Sequence, residues 1–189
     1  MYHSKPLTKD NWDDFEKLFQ KHKGVRGGCW CTFHQLPSSD YIKMSRQDRK
    51  YYHRKRVEEH IATGLILYED QNPIGWCQFG RGDIFEQLNR NRAYKKLDKE
   101  KQMTPDWRIT CIFIDKDYRR IGLSSVILSK TLEMIRDLGG GIVEAFPFDL
   151  ESSDKPNYNG SVPMFEREGF EKVARLGKNI QLMRKNIEK

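Results

Sequence analysis

Apolar residues recur at helical spacing in Trp12, Phe15, Leu18 and Phe19, with polar residues between them. That pattern predicts an amphipathic helix, capped by Thr8 or Asp10. Residues 5–7 before it read as a short strand, and Gly24, Gly27 and Gly28 break the chain after it. A second helix is predicted from Ser45 to Thr63, with Gly64 as its stop. Its apolar positions, Tyr51, Tyr52, Val57 and Ile61, form a thin stripe suited to lying across a surface. Residues 64–69 and 74–79 are β-prone runs separated by the turn cluster 70–73, the mark of a hairpin.

Residues 80–105 form a long polar segment, which predicts either a functional loop or a short helix around 85–88. A strong strand follows at 107–114. Then comes a helix over 122–138 that buries Leu123, Val126, Ile127, Met134, Ile135 and Leu138, ended by Gly139 to Gly141. Residues 141–146 read as a strand, 161–168 as a short helix, and 170–175 with 180–184 as an antiparallel pair turning at Gly177. The order is β-α-α-β-β-β-α-β-α-β-β. Strand, helix and strand over 107–146 make a βαβ unit, expected to be parallel and right-handed. An α/β fold follows: a mixed, mostly antiparallel sheet of about seven strands with helices on both faces. Neither a repeat nor a linker divides the 189 residues, so one domain over 1–189 is expected.

Charge narrows the class. The chain carries net +7, and 32% of its residues are charged. No apolar run approaches the roughly 20 residues of a membrane span. The first residues lack the apolar stretch of a signal peptide, which predicts a cytoplasmic protein with no membrane partner. Cys77 and Cys111 lie in apolar strands, and Cys29 and Cys31 are too close in sequence for an unstrained bridge, so reduced thiols are expected. Residues 43–56 hold seven basic side chains against one acid, and 81–101 hold seven against four. Neither run interleaves aromatics as a base-stacking surface does, which disfavours nucleic acid. A small ligand with several phosphates suits the same field.

The candidate chemistry sits where the strand 107–114 gives way to the next helix. A helix start presents backbone N–H groups without intrahelical partners, and the helix dipole adds to their pull on phosphate. Gly122 permits close approach of a ligand, Ser124 and Ser125 add hydroxyls, and Arg119 and Arg120 add charge. No Walker loop or dinucleotide fingerprint is present. By themselves these residues fit a plain helix start with a surface arginine pair equally well.

Arg119-x-x-Gly122-x-Ser124 resembles the Arg/Gln-x-x-Gly-x-Gly/Ala motif of the GNAT superfamily of acyl-CoA-dependent N-acyltransferases. Ile112-Phe113-Ile114-Asp115-Lys116-Asp117-Tyr118-Arg119 is similar to that family's approach strand. The run from Phe165 to Phe170 is similar to its aromatic-x-x-x-Gly-Phe element. The likeness runs over about residues 64–185; earlier residues share only the layout of a strand and two helices. It implies a GNAT-like fold and an N-acetyltransferase with acetyl-CoA as co-substrate and a primary amine as acceptor. It also implies that backbone groups of Ile112, Phe113 and Ile114 pair with the pantetheine arm like an added strand. Amides of Arg120, Ile121, Gly122, Leu123, Ser124 and Ser125 would cradle the pyrophosphate, with Arg119 and Arg120 reaching the phosphates. Amides near Ile114 would polarise the thioester carbonyl. Two departures stand out. Ser124 replaces the usual Gly or Ala, and Phe165 replaces a Tyr that in many members protonates the leaving thiolate. Tyr158, water, or no acid at all are the alternatives.

An amine of lysine type, with a pKa of about 10.4, must lose a proton before attack. Glu144, inside the apolar strand 141–146, is the first candidate base, since burial raises a carboxyl pKa; Asp149 is the weaker one. The opposite reading is that Glu144 faces solvent or pairs with an arginine. Cys29, Cys31 and His34 could supply three zinc ligands, but no neighbour completes the site, so no metal is expected. Trp30, Phe33 and Trp107 are expected to wall the acceptor side. Direct attack in a ternary complex is favoured over a covalent relay. The competing classes are a catalytically silent acyl-CoA-binding module and a basic nucleic-acid or ribosome-associated protein. The acceptor and the oligomeric state, a homodimer among the options, stay open.

Overall fold

The computed structural model describes residues 1–97, 103–149 and 158–189. Among them seven strands form one sheet: β1 (Tyr2–Pro6), β2 (Thr63–Glu69), β3 (Asn72–Arg81), β4 (Trp107–Ile114), β5 (Gly141–Ala145), β6 (Glu171–Leu176) and β7 (Ile180–Ile187). Their spatial order is β1-β2-β3-β4-β5-β7-β6, and only β4 and β5 run parallel. The helices are α1 (Trp12–Lys21), α2 (Ser38–Lys43), α3 (Arg46–Glu58), α4 (Glu86–Asn89), α5 (Arg92–Lys95), α6 (Leu123–Asp137) and α7 (Val162–Arg167). The mixed, mostly antiparallel α/β architecture is the expected one. None of the described helices is long and apolar enough to cross a membrane.

The sheet is covered on both faces. Trp12, Phe15, Leu18 and Phe19 of α1 pack with Ile66, Tyr68, Trp76 and Phe113 from alternate strand positions. On the other face α6 buries Leu123, Ile127, Leu128, Leu132 and Ile135 against Leu65, Cys77, Ile109 and Ile112. The apolar stripe of α6 is rotated from its expected place, because Val126 and Leu138 are exposed while Leu128 and Leu132 are buried. α3 ends at Glu58 rather than Thr63, and His60 just beyond takes a left-handed backbone at φ +58°. Its buried residues are His53 and Val57, with Tyr51 exposed. The long polar segment carries α4 and α5; Phe85, Leu88 and Tyr94 pack in a third cluster with Phe146 and Leu182.

Candidate functional site

β4 and β5 pair at only three positions, Trp107 with Val143, Arg108 with Glu144 and Ile109 with Ala145. A bulge then places Thr110 as an extra residue between Ile109, opposite Phe79, and Cys111, opposite Gln78. Beyond it the β4–β5 pairing stops, and one edge of β4 has no strand beside it among the described residues. Successive residues of a strand direct their N–H and C=O groups to opposite sides. Asp115 donates to Ile74 of β3 at 2.8 Å, while the Ile112 N–H points away and donates to the Tyr158 carbonyl at 2.6 Å. Ile112 and Ile114 therefore face the open edge. Phe113 does not: it sits opposite Trp76 in the β3–β4 ladder, and its ring packs 5.7 Å from Phe19. The expectation that its backbone meets pantetheine is corrected by that alternation.

After β4, Lys116–Tyr118 makes one 3-10 turn, and Gly122 at φ +84° opens α6 without a side-chain cap. Ser125 and Val126 donate to the Gly122 carbonyl at 3.0 and 3.3 Å. No acceptor meets the N–H groups of Arg120, Ile121, Gly122, Leu123 or Ser124 among the described residues. A Cβ built on Gly122 would find no protein atom within 4 Å, so the concavity is open on that side. Arg120 also has positive φ, +67°, which curls its amide toward those that follow. Arg119 departs from its expected role. Its Nε bonds the Ile114 carbonyl at 3.1 Å and its guanidinium lies 5.9 Å from the Phe113 ring, so it braces the turn against β4.

A second brace comes from Asp115, a residue the sequence did not single out. Its carboxylate accepts from Lys21 at 2.7 Å and from the Asp117 N–H at 3.1 Å, with His22 Nε2 at 3.3 Å. Burial alone would raise its pKa, but the bonds from Lys21 and the Asp117 amide outweigh it and hold the carboxyl below its ordinary value. Lys21 lies 94 residues away, so no local pattern announces the pair.

Beside the bulge lies a cleft lined from α1, the 23–34 segment, β3, β4 and Tyr158. Phe33 is on its wall as expected. Trp30 is not; it stacks behind on Phe19, at 5.7 Å. Trp107 is remote from it, buried with its Nε1 on the Gly140 carbonyl at 2.9 Å. Lys23, Val25, Arg26, Trp30 and Cys31 all have positive φ, between 43° and 56°. For a β-branched residue such as Val25 that is a strained conformation, and such strain concentrates at ligand clamps. Gly24, at φ +77°, is required because an added Cβ would stand 2.6 Å from the Trp30 indole nitrogen. Cys29, Cys31 and Cys111 present thiols to the cleft; Cys31 Sγ accepts from Trp76 Nε1 at 3.0 Å. Burial pushes the Cys29 and Cys31 thiols up in pKa, so they stay protonated at neutral pH.

Glu144 does not line the cleft. Its carboxylate takes Arg108 Nε at 3.1 Å, Arg184 Nη2 at 2.7 Å and the Tyr94 hydroxyl at 2.8 Å, and the residue is fully buried. Held by two guanidiniums and a hydroxyl and away from the cleft, Glu144 is not placed to take a proton from an amine bound there. Asp149 pairs with Arg175 at 3.3 Å. Phe165 is fully buried and meets the Phe170 ring edge-on at 5.0 Å. Tyr158 does belong to the cleft, with its ring 5.9 Å from Phe113.

Residues 30–170 match the profile of the Acetyltransferase (GNAT) family. No curated protein sequence matches the chain. Among solved structures, an acetyltransferase from Thermus thermophilus superposes with a TM-score of 0.56 at 14% identity, covering 99% of this chain and 97% of that one. The PaiA N-acetyltransferase of Thermoplasma acidophilum, in complex with coenzyme A, gives 0.56 at 13% identity, with 99% of each chain covered. Arabidopsis thaliana NAA60, in complex with acetyl-CoA, gives 0.53 at 14%, covering 99% of this chain and 100% of its own. At such identities the likeness is one of fold.

Proposed function

The chain belongs to the acetyltransferase (GNAT) family, and from that premise we propose that it transfers the acetyl group of acetyl-CoA to a primary amine by direct attack in a ternary complex. The observation that carries the reading is the run of amides from Arg120 to Ser124 without partners among the described residues, continuous with the edge of β4 at Ile112 and Ile114 that no described strand covers. The amides suit a pyrophosphate, and the edge suits an extended amide-bearing arm. Ile112 already donates to a carbonyl, that of Tyr158 at 2.6 Å, and a thioester carbonyl could take the same N–H. Such a donor stabilises the oxyanion that forms as the amine nitrogen attacks. The C–N bond forms, the C–S bond breaks, and the amine's proton passes through water to solvent. Protonated, buried thiols at Cys29 and Cys31 argue against an acyl-cysteine relay.

Isothermal calorimetry with acetyl-CoA, followed by thiol release over an amine panel, tests the proposal. Binding without turnover of any amine would instead favour the silent acyl-CoA-binding module, the reading that Phe165 supports. A nucleic-acid role is disfavoured because several basic side chains of α3 already have partners in this chain. Lys50 pairs with Glu16, Arg54 with Glu58 at 3.1 Å, and Arg56 bonds Gln35 at 2.7 Å.

Tyr158 is the proposed acid for the departing thiolate. Tyr158→Phe is expected to lower kcat by no more than about a hundredfold, since a CoA thiol leaves well even as thiolate. The KM for acetyl-CoA should stay constant, because the Tyr158 carbonyl and not its hydroxyl touches β4. An unchanged kcat in the thiol-release assay would remove the acid role.

A further inference from the structure

We infer that the cleft selects a small amine that carries its own acid group on a largely apolar body, as an apolar α-amino acid does, with Arg26 holding the acid; this rests on the acetyl-transfer reading above. Several polar groups of the lining already have partners. Thr110 Oγ1 bonds Gln78 Oε1 at 2.9 Å, and Gln78 Nε2 bonds the Cys31 carbonyl at 2.8 Å. Arg26 and His34 differ. The Arg26 guanidinium lies over the Phe33 ring at 5.8 Å and has no carboxylate partner among the described residues. The buried His34 Nδ1 likewise has no hydrogen-bond partner there.

Among the described lining residues the charged side chain is a cation, Arg26, and none is Asp or Glu. Burial, then the positive charges of Arg26 and Arg108, push the His34 pKa down to about 4, so the imidazole is neutral at pH 7. A polyamine or aminoglycoside would bring further cations toward an unpaired guanidinium. An amine beside its own carboxylate would instead supply the missing anion. The remaining walls, Phe19, Val25, Phe33 and the thiols, suit an apolar side chain. Arg26 itself has φ +43°, between Val25 and Gly27.

The test compares L-leucine, L-methionine and L-phenylalanine with their amides, and with spermidine and kanamycin, by thiol release from acetyl-CoA. The free acids are expected to exceed their amides in kcat/KM by about tenfold to a hundredfold, the size of one charge-assisted contact. Arg26→Ala should abolish that difference by raising KM for the acids, with acetyl-CoA affinity by calorimetry unchanged and Arg26→Lys restoring part of it. Amides as good as acids, a preference for spermidine or kanamycin, or no acid acetylated while acetyl-CoA binds would each overturn the acceptor class and leave the donor site standing. Failure to bind acetyl-CoA overturns both. Arg26 is exposed, and the fold of Arg26→Ala is checked by circular dichroism; were it unfolded, the acid-to-amide ratio of the unaltered protein alone decides.

Discussion

Gly122→Trp is expected to lower acetyl-CoA affinity by at least about a hundredfold while the protein stays folded. The two halves of that result have different causes. A left-handed backbone at φ +84° costs a non-glycine residue about 1–2 kcal/mol, which a chain of this size tolerates. No protein atom stands within 4 Å of the new Cβ, so nothing in the fold is displaced. The indole instead occupies the hollow above the unpartnered amides of Arg120 to Ser124, where the pyrophosphate is proposed to lie. Gly177→Trp is the matched control: φ is +73°, the space around its Cβ is equally empty, and the residue sits in the β6–β7 turn. Equal melting temperatures with calorimetric binding lost only in the first variant is the predicted pattern. Binding kept in Gly122→Trp would remove the pyrophosphate from this turn.

That turn was legible because its residues are contiguous. Arg119, Gly122 and Ser124 sit within one strand–helix junction, and the strands and helices around it announced themselves through periodicity. The Phe113 backbone was misassigned since a motif gives a strand's position but not which of its edges is open; that depended on β3 pairing at Trp76. The cleft beside the bulge, the proposed acceptor site, was less visible still. Arg26, His34, Thr110 and Tyr158 meet only when the 23–34 segment folds over the β4 bulge, and no spacing along the chain encodes that meeting. What the sequence offered was the glycine cluster 24, 27 and 28, a sign of unusual backbone that the positive φ values at Val25 and Arg26 bear out. The short helices α2, α4 and α5 fell in stretches without helical periodicity. Two of them follow Pro37 and Asn91, residues that favour helix starts, and the Asn91 side chain caps α5 at 2.9 Å.

Glu144 shows how burial without partners misleads, and its replacement is the second large effect expected. An acid inside an apolar strand suggests a base; the partners that occupy it instead, Arg108 and Arg184, lie 36 and 40 residues away. Glu144→Gln keeps the shape but removes the negative charge facing a fully buried guanidinium and a second, mostly buried one. Breaking such a cluster from one side costs about 3–5 kcal/mol. For a domain of this length each kcal/mol moves Tm by about 2–4 °C, so a fall of roughly 6–20 °C is expected by differential scanning calorimetry. Turnover measured below that Tm should keep its pH profile, whereas loss of a base would depress it more at pH 7 than at pH 9. An unchanged Tm would sink the clamp. The clamp also has a place in the architecture. Arg108 and Glu144 form the second of the three β4–β5 pairs, and Arg108 reaches on to the Gly82 carbonyl at 2.8 Å and Asn89 at 2.5 Å. It therefore ties the polar segment, β5 and β7 to β4 immediately before the strands part. Loosening it should shift the open edge at Ile112, so a modest rise in KM for acetyl-CoA, with kcat and its pH dependence unaltered, is the expected companion of the lost stability.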